Sequence, residues 1–303
     1  MKYGFVFPDN DVIEAILCAE AAEAAGWDGF FVWDGVWATD PWVTLGGIAA
    51  RTERIRIGTM ITPMSRRRPW KLASETATVD RLSGGRLILS VGLGALDTGF
   101  EAFGEETGRR TRAELLDEGL AIITGLWRGQ PFEHHGKHYQ VEAKGLPMTC
   151  PPPLQQPRIP IWVVGVWPVS DGDVAAAAPM GSMERALRYD GLLPDVMVWR
   201  AGGRRRGGKG RGSGATWQRR ALAPADVAAM RAYVDVQLPS GPRATETFDI
   251  VVEGTTPGDD PAAAAAIVSP WVAAGATWWI EAQWDAVTSD TIRDRIRQGP
   301  PNR

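Results

Sequence analysis

The sequence predicts an α/β fold closed into a (β/α)8 TIM barrel, and three observations carry that reading. Short apolar runs alternate with helical segments along nearly the whole chain, the order that builds a parallel sheet. Eight such runs can be counted, and closing eight strands into a ring leaves no exposed edge. The chain has 303 residues, which suits one barrel with insertions. Residues 1–303 are therefore expected to form a single domain.

Tyr3 to Phe7 is the first strand, closed by Pro8-Asp9-Asn10. Val12 to Ala25 is an Ala- and Glu-rich helix with Gly26 positioned to end it. Gly29 to Trp33 is the second strand and Trp42 to Arg51 the next helix. Arg54 to Pro63 alternates like a strand and stops at Thr-Pro. Pro69 opens a helix that runs to Leu82, where Ser83-Gly84-Gly85 breaks it. Arg86 to Val91 is nearly all apolar, as expected of a strand buried on both faces, and ends in Gly92-Leu93-Gly94.

Arg110 to Trp127 follows as a long amphipathic helix. Phe132 to Val141 reads as a small hairpin insertion turning at His135-Gly136-Lys137. A Pro-rich linker leads to the strand Pro160 to Val164. The repeat then resumes with helix Met183 to Arg188, strand Gly191 to Pro194 and helix Pro224 to Gln237. Strand Thr247 to Val252, helix Asp260 to Ala274, strand Thr277 to Glu281 and helix Val287 to Gln298 complete it.

Residues 196–220 interrupt the pattern. Arg200 to Arg220 carries eight Lys or Arg, seven Gly and no acid. It has too little apolar surface to offset its ordering entropy, which predicts a flexible basic loop. Arg-Gly-rich sequence also suits phosphate or nucleic acid, so a nucleic-acid-associated protein is the alternative reading. The formal net charge of -3 argues against a protein built around nucleic acid as a whole. Two cysteines and three histidines give neither a disulfide framework nor metal-ligand spacing, so no metal is expected. No signal core and no run of about 18 apolar residues is present, so no membrane association is expected and the cytoplasm is the expected location.

In such a barrel, chemistry belongs at the carboxyl ends of the strands. Those ends read Phe7-Pro8, Asp34, Ile61-Thr62, Gly92-Leu93-Gly94, Gly165-Val166-Trp167, Pro194 and Glu281. Glycines, hydroxyls and large apolar groups dominate, and no nucleophile has an evident base. The set suits a flat, largely apolar cofactor that carries its own chemistry, together with a small organic substrate. Phe7, Trp37 and Glu281 are candidates for the substrate pocket. Glu281 reads equally as a rim ion-pair partner, and Arg66, Arg67 and Arg68 read as a solvated start to their helix. His134, His135 and His138 read as surface residues of the hairpin.

Gly26 to Asp34, Arg54 to Pro63, Arg66 to Gly94, Arg158 to Gly165, Phe248 to Gly254 and Trp278 to Glu281 together resemble the bacterial luciferase-like monooxygenase family. That family comprises TIM-barrel oxidoreductases using FMN or coenzyme F420. The resemblance implies a flavin- or deazaflavin-dependent oxidoreductase that transfers hydride or activates dioxygen. It also implies a separate reductase supplying reduced cofactor, and a homodimer. A non-catalytic flavin-binding barrel is the alternative from a different class.

Carried over by position, Thr59, Met60 and Ile61 match a bulged strand end, often with a non-proline cis peptide, that supports the ring. Asp34 matches an acidic position near the reactive edge and is the implied catalytic residue. Gly92 and Gly94 match the turn beside the cofactor, and Gly165, Val166 and Trp167 match the loop receiving its phosphate. The helix near Met183 would add its dipole there. The chain departs from deazaflavin-dependent members at Gly35, where many have His, and at Ala95, where some have Glu.

Overall fold

The computed structural model describes residues 1–129, 131–170, 181–200, 216–238, 248–285 and 288–301. Eight parallel strands close on themselves: β1 (Lys2–Phe7), β2 (Gly29–Val32), β3 (Arg56–Thr59), β4 (Leu87–Gly92), β5 (Ile161–Ser170), β6 (Gly191–Arg200), β7 (Asp249–Gly254) and β8 (Trp278–Ala282). Each pairs with the next, and β8 returns to β1 with Lys2 opposite Trp278 and Val6 opposite Ala282. Helices α1 (Val12–Ala25), α2 (Pro41–Arg51), α3 (Pro69–Leu82), α4 (Arg109–Trp127), α5 (Gly181–Leu187), α6 (Pro224–Gln237), α7 (Pro261–Ala273) and α8 (Ser289–Arg297) follow the strands in turn.

Local chemistry explains the element ends. Asp11 and Asp40 cap α1 and α2 by accepting the first free backbone N–H groups, and Gly26 ends α1 in the left-handed region at φ 87°. Pro41, Pro69, Pro224 and Pro261 all stand at helix starts, where the missing N–H costs nothing. Buried Arg86 donates to the carbonyls of Ala49, Thr52 and Ile55, fastening the start of β4 to the end of α2.

Alternation along the strands divides two apolar layers. Phe5, Phe7, Phe30, Val32, Ile57, Leu89 and Val163 face outward to the helices. Val6, Phe31, Met60, Ile88, Trp162, Leu193, Val251, Trp278 and Ile280 fill the barrel. Within it, Phe31, Trp162 and Trp278 form a plug, with ring centroids 5.5 Å, 6.1 Å and 5.2 Å apart. Asp249 accepts from the Trp162 indole at 3.1 Å and from Thr277 at 2.9 Å, and fixes one ring. Glycine makes the room: a Cβ on Gly58 would lie 2.3 Å from the Ile88 carbonyl oxygen and 3.2 Å from the Phe31 ring.

Two strands outrun their expected ends. β5 and β6 pair from Trp162 opposite Gly191 to Ser170 opposite Trp199, beyond Val164 and Pro194. Pro194 does not stop β6, because the chain keeps a ladder partner on both sides of it. Thr216–Arg219 then pairs antiparallel with Met197–Arg200. The expected loop at 196–220 therefore begins and ends as strand, while 201–215 lies outside the described residues. The hairpin forms as expected, from Phe132–His135 and Gln140–Ala143. It docks on α4 through Glu118, which accepts from the backbone of Lys137, His138 and Tyr139 at 2.8 to 3.1 Å. No helix among the described residues is long and apolar enough to cross a membrane.

Gly58→Ala should destabilise the protein by about 1–3 kcal/mol, because backbone rather than a movable side chain meets the new methyl. Urea denaturation measures this, and an unchanged midpoint would show that the plug is not tightly packed there.

Candidate active site

Above the plug, at the carboxyl ends of the strands, the barrel opens into two joined lobes. The larger, of about 670 Å³, includes Met60, Ile61, Gly92, Arg112, Val166 and Glu253 in its walls. The smaller, of about 470 Å³, includes Pro8, Trp33, Asp34, Pro63 and Thr98. Met60, Ile61, Gly94, Ala95 and Trp284 line both. These volumes suit a cofactor and a small molecule side by side. A third concavity, of about 530 Å³, lies at the opposite end of the barrel against Lys2, Asp28, Arg54, Arg56 and Trp278. The plug separates it from the mouth.

The expected bulge is present. The Met60–Ile61 peptide is cis, and Thr62–Pro63 then pairs with Val91 and Gly92 of β4. Thr59 is fully buried below it and its hydroxyl accepts from Thr62 at 2.9 Å. Thr59 thus braces the bulge from beneath, while Met60 and Ile61 form the surface of the mouth. Gly92 makes room there for its neighbours, since a Cβ would lie 2.3 Å from Ile61 and 2.9 Å from Val164. Below it on the same strand face, Ser90 is buried and its hydroxyl has no partner among the described residues.

Asp34 is buried, and both of its oxygens accept from guanidinium groups. Arg66 bonds Oδ1 closely and reaches the Asp34 carbonyl at 3.1 Å, while Arg67 spans both carboxylate oxygens at 3.0 Å. Burial pushes this carboxyl up from its ordinary range, and Arg67 and then Arg66 pull it back. Arg66 and Arg67 are therefore anchored groups, not the solvated pair expected. Arg66 lies over one side of the buried Phe100 ring at 5.6 Å, and Arg112 lies over it at 5.5 Å. Arg112 donates to the carbonyls of Leu93 and Gly94 at 2.8 Å and 3.1 Å, and its buried Nε has no partner among the described residues.

Several expected site residues face the other way. Phe7 is in the outer layer against Phe30, with ring centroids 6.0 Å apart. Glu281 is fully buried outside the barrel wall, where it accepts from the Thr256 backbone at 2.8 Å and pairs with Arg295 at 3.3 Å. Trp167 packs on Tyr233 in the outer layer at 5.6 Å. Gly165 faces Leu192 and Met183, and only Val166 of that trio lines the cavity. The Val166 N–H is already taken by the Ser182 hydroxyl at 3.0 Å. Trp37 is 87% exposed and stacks on Phe103 at 6.1 Å, outside both lobes.

Residues not singled out in the sequence take these places. Arg109, Arg112, Arg185 and Arg219 line the larger lobe with only Asp195 and Glu253 as carboxylates. Asp195 pairs with Arg219 at 2.8 Å, and Arg185 is held by both oxygens of Asp117 at 2.8 Å and 2.6 Å. Spacing three apart on the first turn of α4 was a readable signal for Arg109 and Arg112. No metal-binding group of His, Cys, Asp or Glu exists among the described residues.

Fold and site together define a closed (β/α)8 barrel with a cofactor-sized mouth at the carboxyl ends of its strands. The sequence pattern of the luciferase-like monooxygenases matches residues 7–178, and the chain belongs to that family. It is 33% identical over 182 residues to the oxygenase component of a flavin-dependent trigonelline monooxygenase from Acinetobacter baylyi. That match covers 54% of this chain and 49% of the relative, so the chain spans about half the length of the curated relative it matches. Among solved structures, the coenzyme F420-dependent tetrahydromethanopterin reductase of Methanopyrus kandleri superposes with a TM-score of 0.71 at 16% identity, covering 99% and 98% of the two chains. A monooxygenase from Streptomyces bottropensis superposes with a TM-score of 0.66 at 17% identity, covering 98% and 97%.

Asp34→Asn should cost about 3–5 kcal/mol of stability, because the buried Arg66 guanidinium loses its carboxylate partner and Arg67 keeps only the more exposed Asp40. Equilibrium unfolding in urea checks this, and a loss of turnover with unchanged stability would return Asp34 to a chemical role.

Proposed function

We propose that this chain is a flavin-dependent oxidoreductase of the monooxygenase type, acting on a small, largely apolar organic molecule with FMN supplied in reduced form by a separate reductase. The observation that carries the reading is the division of the mouth into a basic lobe and an apolar lobe that meet at Met60, Ile61 and Gly94. A planar ring ending in a phosphate fits that division. The phosphate would be taken by Arg112, whose buried Nε still needs an acceptor, with Arg109 on the same turn. The ring would rest on Met60 and Ile61, and the substrate would occupy the lobe walled by Trp33, Pro63 and Trp284.

The assignment of the phosphate moves from Gly165, Val166 and Trp167 to the arginine wall of α4. Asp34 has a positioning role in this reading: it fixes Arg66, which together with Arg112 holds Phe100 and the loop after β4. FMN, when bound, supplies the redox chemistry, while the protein orients it and keeps bulk water from the apolar lobe. The trigonelline relative, flavin-dependent and an oxygenase component by name, supports a flavin and a separate partner reductase. Coenzyme F420 is the second reading; Gly35 and Ala95 stand where the resemblance places the proton-transfer groups of many such enzymes, which favours FMN. The relatives give no support to a non-catalytic or nucleic-acid-associated barrel.

Purified protein should bind FMN more tightly than riboflavin, which lacks the phosphate. Arg112→Met should weaken FMN by about ten- to a hundredfold more than it weakens riboflavin, the worth of a hydrogen bond to a charged group. Quenching of flavin fluorescence measures both. Equal losses for the two flavins would remove the phosphate from Arg112.

A further inference from the structure

We propose that Glu253 is a catalytic acid–base group of the mouth, donating a proton to a ligand atom that gains negative charge there. The inference rests on the reading of the two-lobed cavity as the cofactor and substrate site. Strand β7 carries the argument first. Val251 faces the barrel interior, Ile250 and Val252 face the helices, and Glu253 is the next inward position. Gly254, one step further, faces outward, since a Cβ there would meet the Trp279 ring at 2.3 Å. Glu253 therefore projects into the larger lobe, where its side chain is accessible.

Elimination carries it second. Among the described residues, the larger lobe has no histidine in its lining and two carboxylates, Asp195 and Glu253. Asp195 is committed to Arg219 and to the Val196 N–H. Asp34 accepts from two guanidinium groups, and Glu281 faces away from the mouth. Asp97 belongs to the smaller lobe. Glu253 accepts only a long bond from the Trp284 indole, at 3.5 Å to Oε2, and its Oε1 has no partner among the described residues.

The surrounding walls set its charge. Although the side chain is open to the lobe, desolvation by the protein walls around it pushes the Glu253 carboxyl up, and the Trp284 indole and then Arg219 oppose this. The other charged groups of the same lobe are Asp195 on β6, Arg109 and Arg112 on α4, and Arg185 on α5. A protonated carboxyl beside a ring can donate a hydrogen bond to a ring or substrate oxygen or nitrogen. As that atom takes up charge, the Glu253 O–H bond breaks and a new O–H or N–H bond forms on the ligand. The carboxylate left behind is reprotonated from solvent through the open lobe.

The test uses FMN binding, followed by fluorescence quenching between about pH 5 and 9, on wild type, Glu253→Gln and Glu253→Asp. The protonated acid is the binding form, so wild-type affinity should fall by up to about tenfold per pH unit above the carboxyl's pKa. Glutamine, which keeps a donor and cannot ionise, should bind as wild type does at low pH and lose that slope. The flavin phosphate titrates identically with all three proteins and cancels in the comparison. Aspartate should keep a pH-dependent profile. Infrared spectra of the wild type should carry the carbonyl stretch of a protonated carboxyl that is missing from Glu253→Gln, and that band needs no turnover. Parallel pH profiles for wild type and Glu253→Gln, or spectra without that band, would overturn the role of Glu253 while leaving FMN binding in place. No FMN binding by the wild type would overturn the reading of the cavity as well.

Discussion

The lower half of this barrel is full, and everything functional follows from that. Phe31, Trp162 and Trp278 occupy the space that inward side chains from neighbouring strands would otherwise share. Gly4, Gly29 and Gly58 yield to Phe31, and Gly191 yields to Trp162. Large rings on some strands thus require missing side chains on others, an interdigitation that only one register satisfies. The plug forces any ligand upward to the carboxyl ends of the strands. There the inward residues become Met60, Gly92, Val164, Val166 and Glu253, a wall with room above it.

Charge in the mouth is arranged in a chain of contacts. Asp34 fixes Arg66 and Arg67, Arg66 and Arg112 flank Phe100, and Arg112 grips the carbonyls after β4. Each cation in the series has part of its hydrogen-bonding capacity spent on structure. The Arg112 Nε is left without a partner among the described residues. Cations held in this way are preorganised, so under the proposed reading less entropy would be lost on binding a phosphate.

The barrel itself was readable because apolar runs, helix-starting prolines and glycine stops recur locally. The bulge at Met60 and Ile61 and the glycine turn at Gly92 and Gly94 leave local traces too, and all four residues line the mouth. The errors share one cause. Phe7, Trp167 and Glu281 stand at strand ends, but a strand end does not reveal which way a side chain faces, and one step along a strand reverses it. Counting from an inward neighbour would have excluded Glu281, next to inward Ile280, and would have found Glu253, two past inward Val251. The Asp34 pairs were hidden for another reason: their partners are 32 and 33 residues away, with no periodic pattern joining them. The β5–β6 extension was missed because Pro194 reads as a stop, although proline removes only one donor from a ladder that other residues maintain.

Closure of the ring between β8 and β1 is reinforced outside the strands. The Trp27 indole donates to the Ile296 carbonyl at 2.9 Å, Arg295 lies over the Trp27 ring at 5.1 Å, and Arg293 clasps Glu14. These contacts join α1 and its following turn to α8 across some 270 positions of chain. During synthesis, then, β1 emerges early yet keeps one unpaired edge until β8 and α8 have left the ribosome. The nascent chain carries an incomplete, sticky-sided sheet for most of its production, and the final helix works as the latch that ends that exposure.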